Sequence, residues 1–399
     1  MITATRAAGL VLSCLGMTCA AGGAALARTA APSGVPSGAV TPADVARMHR
    51  SVERLVSEGH FMGSVLVAER GQILFDKGYG SADLELNVPD SARTKFLLGS
   101  VTKQFTAAAI LLLQQRGKLK ITDHVRDYLV DAPADWDQIT FFNLLTHTSG
   151  IPSYSNFPDF NATKALPSTP EQLVDRFRGK PLDFAPGTAW RYSNSGYALL
   201  GYLIERISGE PYGRFIQQNI FNPLGMRDSG YGSNSAIIAR RAHGYTPGPD
   251  GAPINADYID MSVPYAAGGL YSTSADLLRW EQALYGGKLL SAASLRQMTT
   301  PFMDDYALGL MVRAAPDGEK ILTHGGSIYG FNCEISYVPA RGLAVIVLAN
   351  LNGPAAHLID QQLLEAGLHQ RLQPASIAPR SSAPAVTPDA ALPPQPLSN

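Results

Sequence analysis

Three short stretches hold residue types that could move protons or form a covalent bond. Ser100 and Lys103 stand three residues apart in Ser100-Val101-Thr102-Lys103. On a helix that spacing puts both side chains on one face, where a lysine amine can take the proton of a serine hydroxyl. The amine must first be neutral. Lys103 is the only charged residue between Thr102 and Gln115 in an otherwise largely apolar run. Burial and the positive end of a helix both lower a lysine's affinity for its proton. A lone Ser-x-x-Lys is expected about once by chance in a chain of this composition. The plain alternative is a helix start, with Ser100 as its cap and Lys103 reaching out to water.

Tyr192-Ser193-Asn194 follows a Pro186-Gly187 turn and precedes a helical pattern from Gly196. A phenol can relay a proton, and an asparagine amide can hold both an acyl carbonyl and a lysine. Alternatively, Tyr192 packs and Asn194 or Ser195 caps the next helix. His324-Gly325-Gly326-Ser327 ends a short strand-like run. Two glycines leave a bare strand edge along which a substrate backbone can lie. A histidine beside it can orient a carboxylate or share protons. The alternative is a glycine turn with an incidental surface histidine.

Other chemistries find no support. There is no Gly-x-Ser-x-Gly elbow. The eight histidines are scattered, without a zinc spacing. No Walker or Rossmann glycine pattern occurs, so neither cofactor nor metal is expected. With 32 basic and 33 acidic residues the net charge is −1, which argues against a nucleic-acid partner. Of three cysteines, Cys14 and Cys19 fall near the start, leaving Cys333 as a buried thiol with no disulfide or zinc spacing.

The elements that must position these residues follow from hydrophobic period and turn signals. A helix is expected near Pro42–Gly59. Gly63–Glu69 and Gln72–Gly78 read as a hairpin joined at Arg70-Gly71. Thr102–Gln115 is apolar on every side, as a buried helix must be, with Gly117 just past its end. The stretch from about 121 to 290 reads as a mostly helical lobe, with helices at Ile139–Leu145, Pro170–Arg176, Gly196–Ile207, Tyr212–Ile220 and Ser274–Leu284. Strands return at Tyr306–Val312, Lys320–Thr323, Phe331–Val338 and Leu343–Ala349, and a helix over Pro354–Leu372 closes the fold. Strands at both chain ends and helices between them imply an α+β fold. Its antiparallel sheet is built from both ends and flanked by helices, with a cleft against the helical lobe.

The flanks read differently. Arg6, an apolar run from Ala7 to about Ala24, and Ala25-Leu26-Ala27 form a secretory signal peptide over residues 1–27. Cleavage near Ala27 implies a periplasmic or secreted protein with no stable membrane insertion. An uncleaved anchor, or a lipidated Cys14 in Val11-Leu12-Ser13-Cys14, are the competing readings. Residues 28–40 read as a flexible leader and 374–399 as a disordered tail rich in Pro and Ala. The catalytic domain then spans 41–373.

Taken in order, Ser100-x-x-Lys103, Tyr192-x-Asn194 and His324-x-Gly326 resemble the three motifs of the serine β-lactamase and penicillin-binding protein superfamily, in its class C branch. Neighbouring runs agree: Leu144-Leu145-Thr146-His147-Thr148-Ser149-Gly150, Phe184-x-Pro186-Gly187, Asn222-Pro223-Leu224-Gly225-Met226 and Gly268-Gly269-Leu270-x-Ser272. The resemblance implies the β-lactamase/transpeptidase-like fold and a serine hydrolase. It makes Ser100 the nucleophile, with Lys103 and Tyr192 sharing base and proton-relay work. Asn194 would position the substrate amide and Lys103. His324, Gly326 and Ser327 would line the substrate strand, and the backbone N–H groups of Ser100 and Ser327 would form the oxyanion hole. One departure stands out: β-lactamases of this branch normally have Lys where this chain has His324. That disfavours an efficient β-lactamase and favours a small ester or a D-amino-acid-containing peptide as substrate, as in D,D-carboxypeptidases and esterases. Peptidoglycan fragments and β-lactams are further expected ligands. The competing class is a module that binds penicillin or peptidoglycan fragments without turnover.

Overall fold

The computed structural model describes residues 39–129 and 131–373. The expected signal peptide, most of the leader and the C-terminal tail lie outside the described residues. Among the described residues, no helix is long and apolar enough to cross a membrane.

Two strands from the start of the chain, β1 (Gly63–Glu69) and β2 (Gln72–Tyr79), join four from its end: β3 (Met311–Ala314), β4 (Lys320–Ile328), β5 (Phe331–Val338) and β6 (Leu343–Ala349). The order is β3-β4-β5-β6-β1-β2, antiparallel throughout. β1 meets β6 in mid-sheet, from Gly63 opposite Ala349 to Glu69 opposite Leu343. Successive side chains take opposite faces. Val65, Val67, Val345 and Val347 pack against α1 (Pro42–Ser57) and α5 (Ala355–Leu368). Leu66, Ile346 and Leu348 turn to the other face, which carries α2 (Thr102–Gln115) and α4 (Ser274–Tyr285). Both faces are covered, so β6 reads as an unbroken apolar run and every one of its residues is buried.

Local chemistry sets the helix starts. Thr41 and Asp44 form a capping box at α1, with Pro42 in its first turn. Thr140 and Asn143 do the same for the short helix Phe141–Leu145. Every residue of α2 from Thr102 to Leu113 is buried. It packs against α3 (Asn194–Ser208) of the helical lobe and against the short helices Tyr265–Gly268, Tyr212–Ile216 and Ala292–Met298.

Several expected bounds shift. β4 does not end at Thr323. It runs through the whole His324–Ser327 motif to Ile328, because Phe331–Val338 turns back and pairs with it. The expected strand over Tyr306–Val312 begins only at Met311; Tyr306 instead lies buried below the turn that precedes it. The helix at Tyr212 stays α-helical to Ile216 and then widens into a π turn over Gln217–Phe221. The closing helix ends at Leu368, where His369 adopts a left-handed conformation, φ 56°. A small sheet of Phe96–Leu97, Leu270–Ser272 and Gly230–Tyr231 was not legible, since strands of two or three residues carry no period.

One buried acid lies between α5 and the sheet. Asp360 Oδ2 is 3.0 Å from Ser336 Oγ on β5. Burial, and then the neighbouring Glu334 carboxylate, push the Asp360 carboxyl up to about 7. An acid whose folded-state pKa is raised stabilises the fold while protonated. That stability is complete below the unfolded value, near 4, and is lost as pH rises to about 7. Asp360→Asn, which cannot ionise, is expected to lose less stability than the native chain between pH 5 and 8. Thermal unfolding at both pH values measures this, and the difference between the two proteins isolates Asp360 from Asp90, whose buried carboxyl is also pushed up to about 7.

Candidate active site

Ser100 sits in a tight turn, Gly99–Val101, between the short strand Phe96–Leu97 and α2. Leu98 N–H donates to Leu270 O at 2.8 Å, which ties this turn to the small sheet. Neither the turn nor α2 has a side-chain cap, so Ser100 is not the helix cap. Its Oγ lies within hydrogen-bond distance of Lys103 Nζ, at 3.1 Å.

Lys103 does not reach water; its exposure is zero. Nζ has two further acceptors, Asn194 Oδ1 at 2.9 Å and Ala267 O at 2.8 Å. It lies 4.7 Å from the centre of the Tyr192 ring and 5.4 Å from that of Tyr197. Among the described residues no carboxylate pairs with it. Burial therefore holds its pKa well below the usual lysine range. A neutral amine has two N–H donors and one lone pair. Ala267 O and Asn194 Oδ1 can only accept, so they take the two donors. The lone pair is left for the Ser100 hydroxyl. In that neutral form the amine can receive the serine proton.

Asn194 opens α3, but the cap is Ser193, whose Oγ accepts from Gly196 N–H at 3.3 Å. Ser195 is not the cap either; its Oγ donates to Pro152 O. Asn194 is freed for the lysine, and its Nδ2 donates to Ser155 Oγ at 2.9 Å while its N–H donates to Ser153 Oγ at 3.0 Å. Tyr192 presents its ring to Lys103 and also packs on His147, ring centres 4.2 Å apart and planes tilted by 37°.

The third motif meets the first through bare backbone. A Cβ on Gly326 would lie 1.9 Å from Leu98 O and 3.1 Å from Ser100 N. One on Gly99 would lie 2.8 Å from Ser327 N. Only glycine at both positions lets β4 lie against the Ser100 turn. β3 pairs with β4 no further than Thr323, so residues 324–328 form a sheet edge on that side. His324 is not a surface residue; it is 5% exposed. Nδ1 lies 2.6 Å from Gly325 O and Nε2 lies 3.1 Å from the Tyr306 hydroxyl. Both ring nitrogens are committed to the protein.

The seven expected residues thus converge from three separated segments. Sequence reasoning did not identify the Ala267 carbonyl, Ser153, Ser155 or Tyr306 as part of the site. A backbone carbonyl and scattered hydroxyls leave no spacing signal. Among the described residues the one cluster of three metal-ligating side chains is Asp83, Glu85 and His243, none of them from these motifs.

Comparisons with known proteins give the family and the fold. A family model described as Beta-lactamase matches residues 48–368. A putative penicillin-binding protein, PbpX, of Bacillus subtilis is 33% identical over 309 residues, covering 77% of this chain and 75% of that protein. Penicillin-binding protein 4* of the same organism is 30% identical over 338 residues, covering 79% and 74%. Among solved structures, the octameric penicillin-binding protein homologue from Pyrococcus abyssi superposes with a TM-score of 0.73 at 29% identity, over 82% of this chain and 78% of that one. A D-stereospecific amidohydrolase from Streptomyces sp. gives 0.68 at 28% identity, over 81% and 98%.

The glycine contact is directly testable. Gly326→Ala is expected to push β4 off the Ser100 turn and to slow fluorophosphonate labelling about 10²-fold, since displacements near 1 Å have effects of that size. Gly179→Ala, where a Cβ meets nothing within 4 Å, is the control and is expected to label at the native rate.

Proposed function

The chain belongs to the Beta-lactamase family and is a serine hydrolase, and we propose that it acts through an acyl-enzyme on Ser100, cleaving small esters or D-amino-acid peptides and amides. The observation that carries this reading is the buried Lys103 amine, held between Ser100 Oγ, Asn194 Oδ1 and Ala267 O. Ser100 Oγ attacks the substrate carbonyl carbon and its proton passes to Lys103 Nζ. Base catalysis of this kind contributes roughly 10²–10⁴-fold. The backbone N–H groups of Ser100 and Ser327 receive the developing oxyanion, each worth about 3–4 kcal/mol in comparable hydrolases. The Tyr192 phenol relays the proton to the leaving alkoxide or amine. Asn194 holds Lys103 and the substrate amide. Water then attacks the acyl-enzyme by the reverse proton route.

The substrate end is read from His324. Its two nitrogens face Gly325 O and Tyr306, and Lys103 is enclosed. Neither is offered to a substrate carboxylate. This favours amides, esters or interior peptide bonds over peptides ending in a free carboxylate. The similarity to a D-stereospecific amidohydrolase from Streptomyces sp. supports that preference. The names of the penicillin-binding relatives support β-lactams as further ligands of this site. The reading also includes export, with cleavage near Ala27.

Three measurements follow from this. Intact-mass spectrometry after fluorophosphonate or penicillin treatment is expected to show an adduct that Ser100→Ala abolishes; an adduct surviving in the variant removes Ser100 as nucleophile. An acylated protein that never releases product would favour the binding module instead. A D-alanyl-D-alanine peptide with an amidated end is expected to show at least tenfold higher kcat/KM than the same peptide with a free carboxylate, and the reverse order overturns the substrate reading. N-terminal sequencing of the exported protein is expected to begin near Arg28.

A further inference from the structure

His147 lies outside the three motifs, yet it touches the middle one at several points. It follows the short helix Phe141–Leu145 and is 1% exposed. Its backbone is left-handed, φ 60°, a conformation that L residues other than Asn, Asp and Gly adopt at a cost. Strain of this kind persists where surrounding contacts over-determine it.

The left-handed turn aims two acceptors of one residue at one segment. His147 O accepts from Arg191 N–H at 3.0 Å. His147 Nδ1 accepts from Ser193 N–H at 3.1 Å. Tyr192 lies between these two bonded residues, and its ring packs on the imidazole at 4.2 Å with the planes tilted by 37°. One residue thus contacts the main chain on both sides of Tyr192 and the Tyr192 ring itself. The next residue, Asn194, holds Lys103.

The tautomer follows from the contact. A backbone N–H can only donate, so Nδ1 must carry the lone pair and the proton resides on Nε2. Nε2 is buried without a hydrogen-bond partner, with the rings of Tyr197 and Tyr306 centred 5.1 and 4.6 Å from the imidazole. A second proton would convert Nδ1 into a donor facing another donor. Burial, then the nearby Lys103 and His324, hold the imidazole well below the usual histidine range, in accord with that tautomer.

We propose that His147 is a positioning residue for the acylation machinery, clamping Tyr192 and Asn194 onto Lys103 through Nδ1, its carbonyl and its ring. It touches neither substrate nor reacting atoms. The proposal rests on the serine-hydrolase reading above and adds a residue to it.

Two variants separate the clamp from mere packing, because Asn and Gly both tolerate the left-handed backbone. Asn places Oδ1 about where Nδ1 lies, whereas Gly leaves Ser193 N–H without an acceptor. With a p-nitrophenyl ester, His147→Gly is expected to lose at least about 100-fold in kcat/KM with KM changed less than threefold, a loss of the size that misplaced catalytic groups produce. His147→Asn is expected to recover at least about tenfold of that loss. Gly within threefold of the native protein, or Asn no better than Gly at equal thermal stability, overturns the proposal. Nitrogen-15 NMR of the native protein gives a readout that needs neither activity nor a folded variant. At pH 7 the His147 ring is expected in the neutral Nε2–H form; an Nδ1–H form or an imidazolium overturns the clamp. Turnover that survives in Ser100→Ala would instead refute the serine reading and leave the NMR result standing.

Discussion

The buried amine of Lys103 constrains the rest of this molecule. An ammonium moved into an apolar interior without a counter-ion is disfavoured by several kcal/mol, and even a neutral amine must have its hydrogen bonds met. The partners come from Ser100 one turn away, from Asn194 at the start of α3, and from the Ala267 carbonyl beside the small sheet. No local segment could supply all three. The helical lobe has to fold across α2 for the lysine to be tolerated there, so the stability of the lobe and the reactivity of the amine are the same problem.

A second constraint is the approach of two backbones. β4 and the Ser100 turn meet at Gly326 and Gly99, closer than any side chain permits. That contact brings two N–H groups from distant parts of the chain, Ser100 and Ser327, into one neighbourhood. It is stable because the sheet behind it is rigid. β1 and β6 seal the two chain ends into mid-sheet, and α1 and α5 cover the outer face. The parts farthest from the chemistry thereby keep the N–H groups near the nucleophile.

His324 occupies the start of the third motif in a fixed orientation. A lysine at the start of this motif would carry a flexible cation. The imidazole is instead bound at both nitrogens, by the Gly325 carbonyl and the Tyr306 hydroxyl. A planar ring with two opposed polar atoms can be locked in this way where an alkylammonium cannot. The relatives at comparable similarity include both penicillin-binding proteins and a D-stereospecific amidohydrolase, so family membership leaves the substrate open.

Much of this was legible in the residues alone. The buried character of α2 follows from an apolar run that spans every side of a helix, and the strands Phe331–Val338 and Leu343–Ala349 have the bounds their patterns imply. Period and turn chemistry are local, so local sequence carries them. The three motifs were visible as residue types at fixed spacings, and their order along the chain carried the resemblance. What the sequence could not decide is which of two chemically sound roles each residue takes. Whether Lys103 reaches water or is enclosed, and whether Asn194 or Ser195 caps α3 or bonds elsewhere, depends on contacts with residues tens to hundreds of positions away. His147 is the clearest case: its left-handed backbone and its grip on Arg191 and Ser193 arise from a meeting of segments more than forty residues apart. Such contacts exist only once the chain has closed on itself, and that is why tertiary structure alone decided them.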